Sequence, residues 1–143
     1  FGTFFLFSKQ IDIRLLLPAS AVGFLSTAVL NLNNMRDLKS DKNSQKYTLA
    51  GYMGRKNSKV YHFALILSAI ILMIVFQLIM SFSNLMLFSW VAFAPLLFHL
   101  KIVYGIKNPK RFDPHLKLVA LSTFVMSLLF ASVLVIEQLR QFL

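Results

Sequence analysis

Two aspartates one helical turn apart, Asp37 and Asp41, are the residues of this sequence best suited to chemistry. They lie in the segment 31–41, which reads NLNNMRDLKSD. At about 100° per residue on a helix, Asn34, Asp37 and Asp41 share one face, and the two carboxylates are neighbours. Carboxylates at that distance repel each other, so the pattern requires a cation close by.

Two sources for that cation remain open from spacing alone. Screening by Arg36, Lys39 and Lys42 would make the segment a solvated, salt-bridged helix end. The alternative is Mg²⁺, which prefers oxygen ligands and combines one or two carboxylates with water and phosphate oxygens. Paired carboxylates with an amide one turn earlier, among Lys and Arg, suit a metal-bridged diphosphate, because the basic side chains donate to its outer oxygens.

Composition restricts where this segment can lie. Of 143 residues, 57% are apolar and 14% are charged, against about 25% charged in soluble domains. So much apolar surface excludes a soluble globular domain of this size, and it also excludes a disordered chain. The lack of cysteine excludes a disulfide framework and a thiolate nucleophile. The net charge of +10 does not indicate nucleic-acid binding, because the basic residues are bunched between apolar runs.

Four apolar segments predict an all-α membrane protein with four transmembrane helices. They cover about 15–32, 60–80, 85–100 and 118–136, close to the roughly 20 residues that a span needs. Pro18 falls in the first turn of its helix, where proline is tolerated. Pro95 lies inside the third span and should kink it. A tight turn is expected at 81–84.

The basic residues predict how these spans are oriented in the lipid bilayer. Twelve of the fifteen lie in two predicted loops, about 34–59 and 101–117, which are separated by two spans and so face the same side. The positive-inside rule makes that side the cytoplasm. A plainer interpretation of most of these cations is that they fix topology and contact anionic lipid head groups.

A family resemblance adds evidence on the source of the cation, which residue spacing alone leaves open. The NNMRDxxxD pattern of residues 33–41, followed by KxTL at 46–49 and GR at 54–55, resembles the second aspartate-rich motif of the UbiA superfamily of intramembrane prenyltransferases. The asparagine pair is similar to the menaquinone-synthesis branch, which prenylates 1,4-dihydroxy-2-naphthoate. Residues 113–123, DPHLKLVALST, are similar to the last loop and helix of that branch. The resemblance covers nearly the whole chain.

The resemblance implies a fold and an activity. In this family about nine helices surround a central cavity, and two aspartate-rich motifs on cytoplasmic loops hold Mg²⁺ and the diphosphate of a polyprenyl donor. This chain would be the C-terminal part of that bundle, in a bacterial inner membrane. The first motif is not in these residues, so the N-terminal half of the same protein would supply it, and this segment alone should be inactive.

The resemblance also implies roles for particular residues. Asp37 and Asp41 would be the catalytic, metal-binding acids, with Asn34 as a supporting ligand. The residues close to the diphosphate would be Arg36, Lys46 and Arg55. In one departure from the pattern, Gln45 replaces the glycine that many relatives have before the lysine. We therefore expect the loop backbone to turn differently there.

Other candidates carry a weaker signal. His99 and His115 flank the second basic segment and are placed to contact an acidic aromatic acceptor, and His62 begins a helix. No metal-ligand spacing links the three, and interfacial histidines are the simpler interpretation. Tyr47 and Tyr52 fit either a lid over the cavity or an interfacial pair.

Two alternatives to this reaction stay open. The same fold could serve another aromatic acceptor, such as 4-hydroxybenzoate, haem, homogentisate or a chlorophyll precursor. The chain could instead be part of a non-catalytic helical membrane subunit whose basic loops bind anionic lipid or a partner protein. That second alternative predicts that Asp37 and Asp41 can be neutralised without consequence.

Overall fold

The computed structural model describes residues 2, 5–6, 9–80 and 84–140, and every regular element in those ranges is helical. The α-helices are α1 Leu16–Asn43, α2 Leu49–Met80, α3 Ala94–Gly105 and α4 Asp113–Arg140. Short 3₁₀ segments cover Ile13–Leu15, Asn84–Phe93 and Pro109–Phe112. Among the described residues, four helical stretches are long and apolar enough to cross a membrane. The predicted all-α, multi-pass membrane architecture is confirmed.

The core forms where α1 packs along α2. The buried stripe of α1 repeats every three or four residues, and each of its members is 0% exposed: Ala21, Leu25, Ala28, Leu32 and Met35. The stripe packs in one apolar cluster with buried residues of α2, among them Ile66 and Ala69. Small residues let two membrane helices approach closely, which the alanines of this stripe provide. Helix α4 then packs across α1 and the 3₁₀ segment Asn84–Phe93.

Helix α1 extends well beyond its apolar part. The segment 34–59 was predicted to be a cytoplasmic loop that begins with a helical end up to Asp41, but α1 continues to Asn43 and α2 begins at Leu49, so only 44–48 lie outside a helix. Neither glycine nor proline occurs between Gly23 and Gly51, so no strong stop signal interrupts α1 where its apolar part ends. The Asp37 and Asp41 positions therefore lie on a rigid helix and not on a flexible loop.

Helix α2 is interrupted near its start. Thr48 caps it, with Oγ1 accepting from the backbone N–H of Gly51 at 3.1 Å. Gly54 then adopts φ 74° and ψ 164°, which kinks the helix. After the kink, the backbone carbonyl of Ser58 accepts a buried hydrogen bond from Asn31 Nδ2 at 2.8 Å, which joins α2 to α1.

Pro95 lies at a junction between two helical geometries and not in the interior of an α-helix. It is the second residue of α3, directly after the 3₁₀ segment that ends at Phe93. Proline is tolerated in the first turn of an α-helix, and the third span changes from 3₁₀ to α geometry at this point. Pro18 lies in the first turn of α1, as expected. Of the turn expected at 81–84, residues 81–83 lie outside the described part of the chain.

The two basic segments lie at the same end of the bundle. Arg55 Nη1 donates to the carbonyl of Lys107 at 2.9 Å. Lys59 Nζ donates to the carbonyls of Tyr104 and Ile106 at 2.8 and 2.6 Å. These cations satisfy carbonyl groups at the C-terminal end of α3, where positive charge is favoured by the helix dipole. The juxtaposition agrees with the prediction that both segments face one side.

Candidate active site

A cavity of about 690 Å³ opens where α1 turns into α2. Its size is within the range of small-molecule pockets, about 300–1,000 Å³. Its lining residues are Leu38, Asp41, Lys42, Gln45, Lys46, Tyr47, Thr48, Gly51 and Tyr52. The two tyrosines are 97% and 92% exposed, so neither closes the cavity as a lid in this conformation.

Asp41 provides the buried acidic group of this cavity. The residue is 8% exposed, and its Oδ1 accepts a long hydrogen bond from Lys46 Nζ at 3.4 Å. Its Oδ2 is buried and has no hydrogen-bond partner. A buried carboxylate oxygen without a donor is costly, because it has lost its hydration without replacement. Oδ2 is therefore an acceptor suited to a further donor or to a cation.

The turn after α1 explains how Lys46 reaches Asp41. Gln45 has φ 53°, in the left-handed region that glycine favours at helix ends. The backbone N–H of Lys46 then donates back to the Asp41 carbonyl at 2.8 Å. The loop thus makes a glycine-type turn although the residue is glutamine.

Asp37 is held by an arginine. Arg36 Nε and Nη2 donate to its Oδ1 and Oδ2, each at 2.8 Å. The same guanidinium donates to Asp113 Oδ1 at 2.8 Å and to Asn33 Oδ1 at 2.7 Å. Arg36 is thereby shared between two carboxylates from different helices. In this arrangement, the guanidinium already occupies both oxygens of Asp37.

The remaining predicted site residues lie apart from the cavity. Asn34 is half-buried one turn before Asp37, and Arg55 is engaged with the Lys107 carbonyl while its Nε is buried without a partner. Of the six residues predicted for the site, the structure places Asp41 and Lys46 at the cavity. Within the described ranges, no group of three or more His, Cys, Asp or Glu side chains is arranged to hold a metal ion.

Three histidines that the sequence presented as separate residues form one chain. His62 Nε2 lies 2.8 Å from His99 Nε2, and His99 Nδ1 lies 3.0 Å from His115 Nδ1. The rings come from α2, α3 and α4, and the first two are 0% and 1% exposed. The available sequence signal was their similar position near the basic end of three spans. Asp113 was likewise not predicted to contact the aspartate-rich segment.

Comparisons with known proteins match this chain along most of its length. A model of the UbiA prenyltransferase family matches residues 1–129. The chain is 33% identical over 133 residues to a 1,4-dihydroxy-2-naphthoate octaprenyltransferase of Haemophilus influenzae, which is 91% of this chain and 42% of that protein. It is 39% identical over 98 residues to the protein of the same name from Escherichia coli, 67% of this chain and 31% of that protein. The chain therefore spans less than half of either relative. No solved structure matches it.

Proposed function

The chain belongs to the UbiA prenyltransferase family, and from this premise we propose that the complete protein transfers a polyprenyl group from polyprenyl diphosphate to 1,4-dihydroxy-2-naphthoate. The ring carbon that bears the carboxylate would be prenylated with loss of CO₂, giving demethylmenaquinol. Both relatives carry this acceptor in their names, which supports it over 4-hydroxybenzoate or haem. The N-terminal half of the same protein would complete the cavity.

The observation that carries the proposal is the environment of Asp41. Its Oδ2 is buried without a partner, and its Oδ1 faces Lys46 in a cavity that also contains Lys42. An acid and two amines around one cavity suit a diphosphate whose inner charge is neutralised by a cation and whose outer oxygens accept from lysines. The buried Oδ2 and the cavity beside it support a bound ligand over a solvated, salt-bridged helix end.

The oxygen donors of this segment are of the type that a divalent metal ion prefers. We assign Mg²⁺ to Asn34, Asp37 and Asp41, because a hard cation prefers carboxylate and amide oxygens and the free Asp41 oxygen supplies one. When bound, Mg²⁺ would draw negative charge from the diphosphate and make it a better leaving group. Asp37 would then exchange its contacts with Arg36 for the metal, which frees guanidinium nitrogens for the diphosphate.

The chain's own residues would perform the remaining tasks. Lys46 and Lys42 would donate to diphosphate oxygens and hold the donor in place. The apolar, phenylalanine-rich helices would exclude water from the allylic carbon as its bond to oxygen breaks. No covalent intermediate with the protein is needed, in agreement with the lack of cysteine. We place the protein in a bacterial inner membrane with its basic end in the cytoplasm.

The test uses the full-length protein in detergent or nanodiscs, supplied with Mg²⁺, a polyprenyl diphosphate and each aromatic acceptor in turn. We expect prenyl transfer to 1,4-dihydroxy-2-naphthoate, with release of labelled CO₂ from its carboxylate. Chelation should abolish transfer and added Mg²⁺ should restore it. Transfer to a different acceptor would reassign the substrate. Transfer to none of the acceptors would contradict an enzyme and favour a helical membrane subunit.

A further inference from the structure

The chain of three histidines ends at the basic end of the bundle, and we propose that its last member, His115, is the base that accepts a proton from a hydroxyl group of the aromatic acceptor. His99 and His62 would act through it as positioning residues. This inference rests on the proposed function and adds a catalytic residue to it.

The rings have linked tautomers because each contact joins two ring nitrogens. A nitrogen–nitrogen hydrogen bond needs one N–H and one lone pair, and a neutral imidazole has one of each. His99 uses both nitrogens, Nε2 with His62 at 2.8 Å and Nδ1 with His115 at 3.0 Å. It must therefore donate on one side and accept on the other. Once the proton of one histidine is placed, the protons of the other two histidines are placed as well.

The proposed role of His115 requires one direction of the hydrogen bonds along the three histidines. His62 Nδ1 is buried and has no hydrogen-bond partner among the described residues. The proposal places the proton of His62 on this nitrogen, so that Nε2 of His62 is left with a lone pair. Nε2 of His62 then accepts from His99, and Nδ1 of His99 accepts from His115. His115 is left with its proton on Nδ1 and a lone pair on Nε2.

The location of His115 makes the lone pair on its Nε2 available. His115 is half-buried, whereas His62 and His99 are fully buried, and no group within the described ranges hydrogen-bonds its Nε2. His115 lies in the first turn of α4, two residues after Asp113. Asp113 contacts Arg36, which holds Asp37. The open nitrogen is therefore at the same end of the bundle as the proposed diphosphate site.

The proton transfer balances within the reaction. The acceptor's O–H bond breaks, the proton moves to Nε2 of His115, and the electron pair stays on oxygen and enriches the ring. The ring carbon forms its bond to the allylic carbon as the C–O bond breaks, and diphosphate leaves with that electron pair. The carboxylate then departs as CO₂ and returns its C–C electron pair to the ring. His115 gives the proton back to the oxygen, so no proton is gained or lost.

The test compares the full-length protein with His115→Asn. Asparagine places an amide near the position of Nδ1, where it can still bond His99, but it has no group at Nε2. We expect prenyl transfer to fall about 100-fold or more, the contribution of a positioned base. The KM for polyprenyl diphosphate and the thermal unfolding in detergent should stay unchanged. Added imidazole should restore part of the lost rate, which a structural role would not allow.

The outcomes separate this inference from the function on which it rests. If the unmodified protein transfers the prenyl group and His115→Asn remains within a few-fold of it, only the role of His115 is overturned. Failure of imidazole to restore any activity also overturns it. If the unmodified protein transfers to no acceptor, the proposed function fails and this inference fails with it. His115→Ala is the second variant should the asparagine variant not accumulate; it removes both ring nitrogens and leaves room for imidazole, so the loss of rate and its partial restoration are again expected.

Discussion

Arg36 donates from Nη1 to Oδ1 of Asp113 at 2.8 Å, across 77 positions of sequence. This contact ties the aspartate-rich segment of α1 to the first residue of α4. The other guanidinium nitrogens hold both oxygens of Asp37. Arg36 thus connects one of the proposed metal-binding acids with the helix that carries the end of the histidine chain.

Asp113→Ala should affect substrate binding more than stability. The Arg36 and Asp113 side chains are 32% and 52% exposed, and ion pairs that exposed contribute about 0–1 kcal/mol. Without Asp113, Arg36 loses the contact that orients it, so we expect the KM for polyprenyl diphosphate to rise about 10-fold, or roughly 1.4 kcal/mol. Steady-state kinetics and thermal unfolding measure the two effects. If the residues act as a pair, adding Asp113→Ala to Arg36→Ala should change little further. An unchanged KM would contradict this account of Asp113.

Gln45→Gly should stabilise the turn between α1 and α2. Gln45 has φ 53°, which costs a residue with a Cβ about 1–2 kcal/mol and costs glycine nothing. Glycine's greater freedom in the unfolded state offsets about 0.5–1 kcal/mol of that gain. We expect a net stabilisation of up to about 1 kcal/mol by thermal or denaturant unfolding, with activity retained. A destabilised variant would show that the glutamine side chain has a role in the turn.

Two glycine-to-alanine changes form a matched pair. A Cβ at Gly54 or at Gly23 would meet no atom within 4 Å, so neither change creates a clash. Gly54 has φ 74° and ψ 164°, a conformation open essentially to glycine alone, and Gly54→Ala should cost about 1–3 kcal/mol. Gly23 lies within α1, and Gly23→Ala should be neutral or stabilising by up to about 1 kcal/mol. Equal effects of the two substitutions on unfolding would argue against the kink at Gly54.

The fold was largely predictable because hydropathy determines the spans. All four predicted spans coincide with helical stretches that are long and apolar enough to cross a membrane. The ends of the helices were less predictable than the spans. A polar helix continues beyond the membrane when no glycine or proline stops it, and α1 continues in this way up to Asn43. The position of Pro95 in the first turn of α3 was not predicted, because the sequence does not reveal that the preceding segment, Asn84–Phe93, is a 3₁₀ helix.

Only those features of the site that depend on residue spacing within one helix were predictable. Helical periodicity placed Asp37 and Asp41 on one face of α1, and their positions within one continuous helix agree with that. The contacts of Arg36 with Asp113 and of His99 with His62 and His115 depend on how the helices pack. A single sequence does not encode those pairings in any spacing rule. The residue types and the similar depths of these side chains reduce the number of possible partners but do not identify the pairs.

Lys46→Gln should weaken binding of the diphosphate. Lys46 lies at the cavity, and it is the cation paired with Asp41. Loss of a charge-assisted hydrogen bond of about 1.5–3 kcal/mol should raise the KM for polyprenyl diphosphate about 10-fold or more. Lys56 is exposed on α2 outside this cavity, so Lys56→Gln is the matched control and should leave KM unchanged. Similar effects of both variants would indicate a general surface charge effect and not a binding residue.

The central claim is that Asp41 acts through its carboxylate charge, and Asp41→Asn in the full-length protein tests it most directly. The control is Asp12→Asn, since Asp12 is an acid bonded to Arg14 through Nε and Nη2 at 2.9 and 2.8 Å, away from the cavity. The hydrogen bond from Arg14 lowers the pKa of Asp12, so this control also removes a negative charge at neutral pH.

Prenyl transfer measured at fixed Mg²⁺ should fall at least about 100-fold in Asp41→Asn, equivalent to roughly 2.7 kcal/mol, and stay unchanged in Asp12→Asn. The unfolding temperature of Asp41→Asn should be no lower than that of the parent protein, because the change removes a buried charge whose Oδ2 has no partner. Undiminished transfer by a folded Asp41→Asn protein would contradict the account.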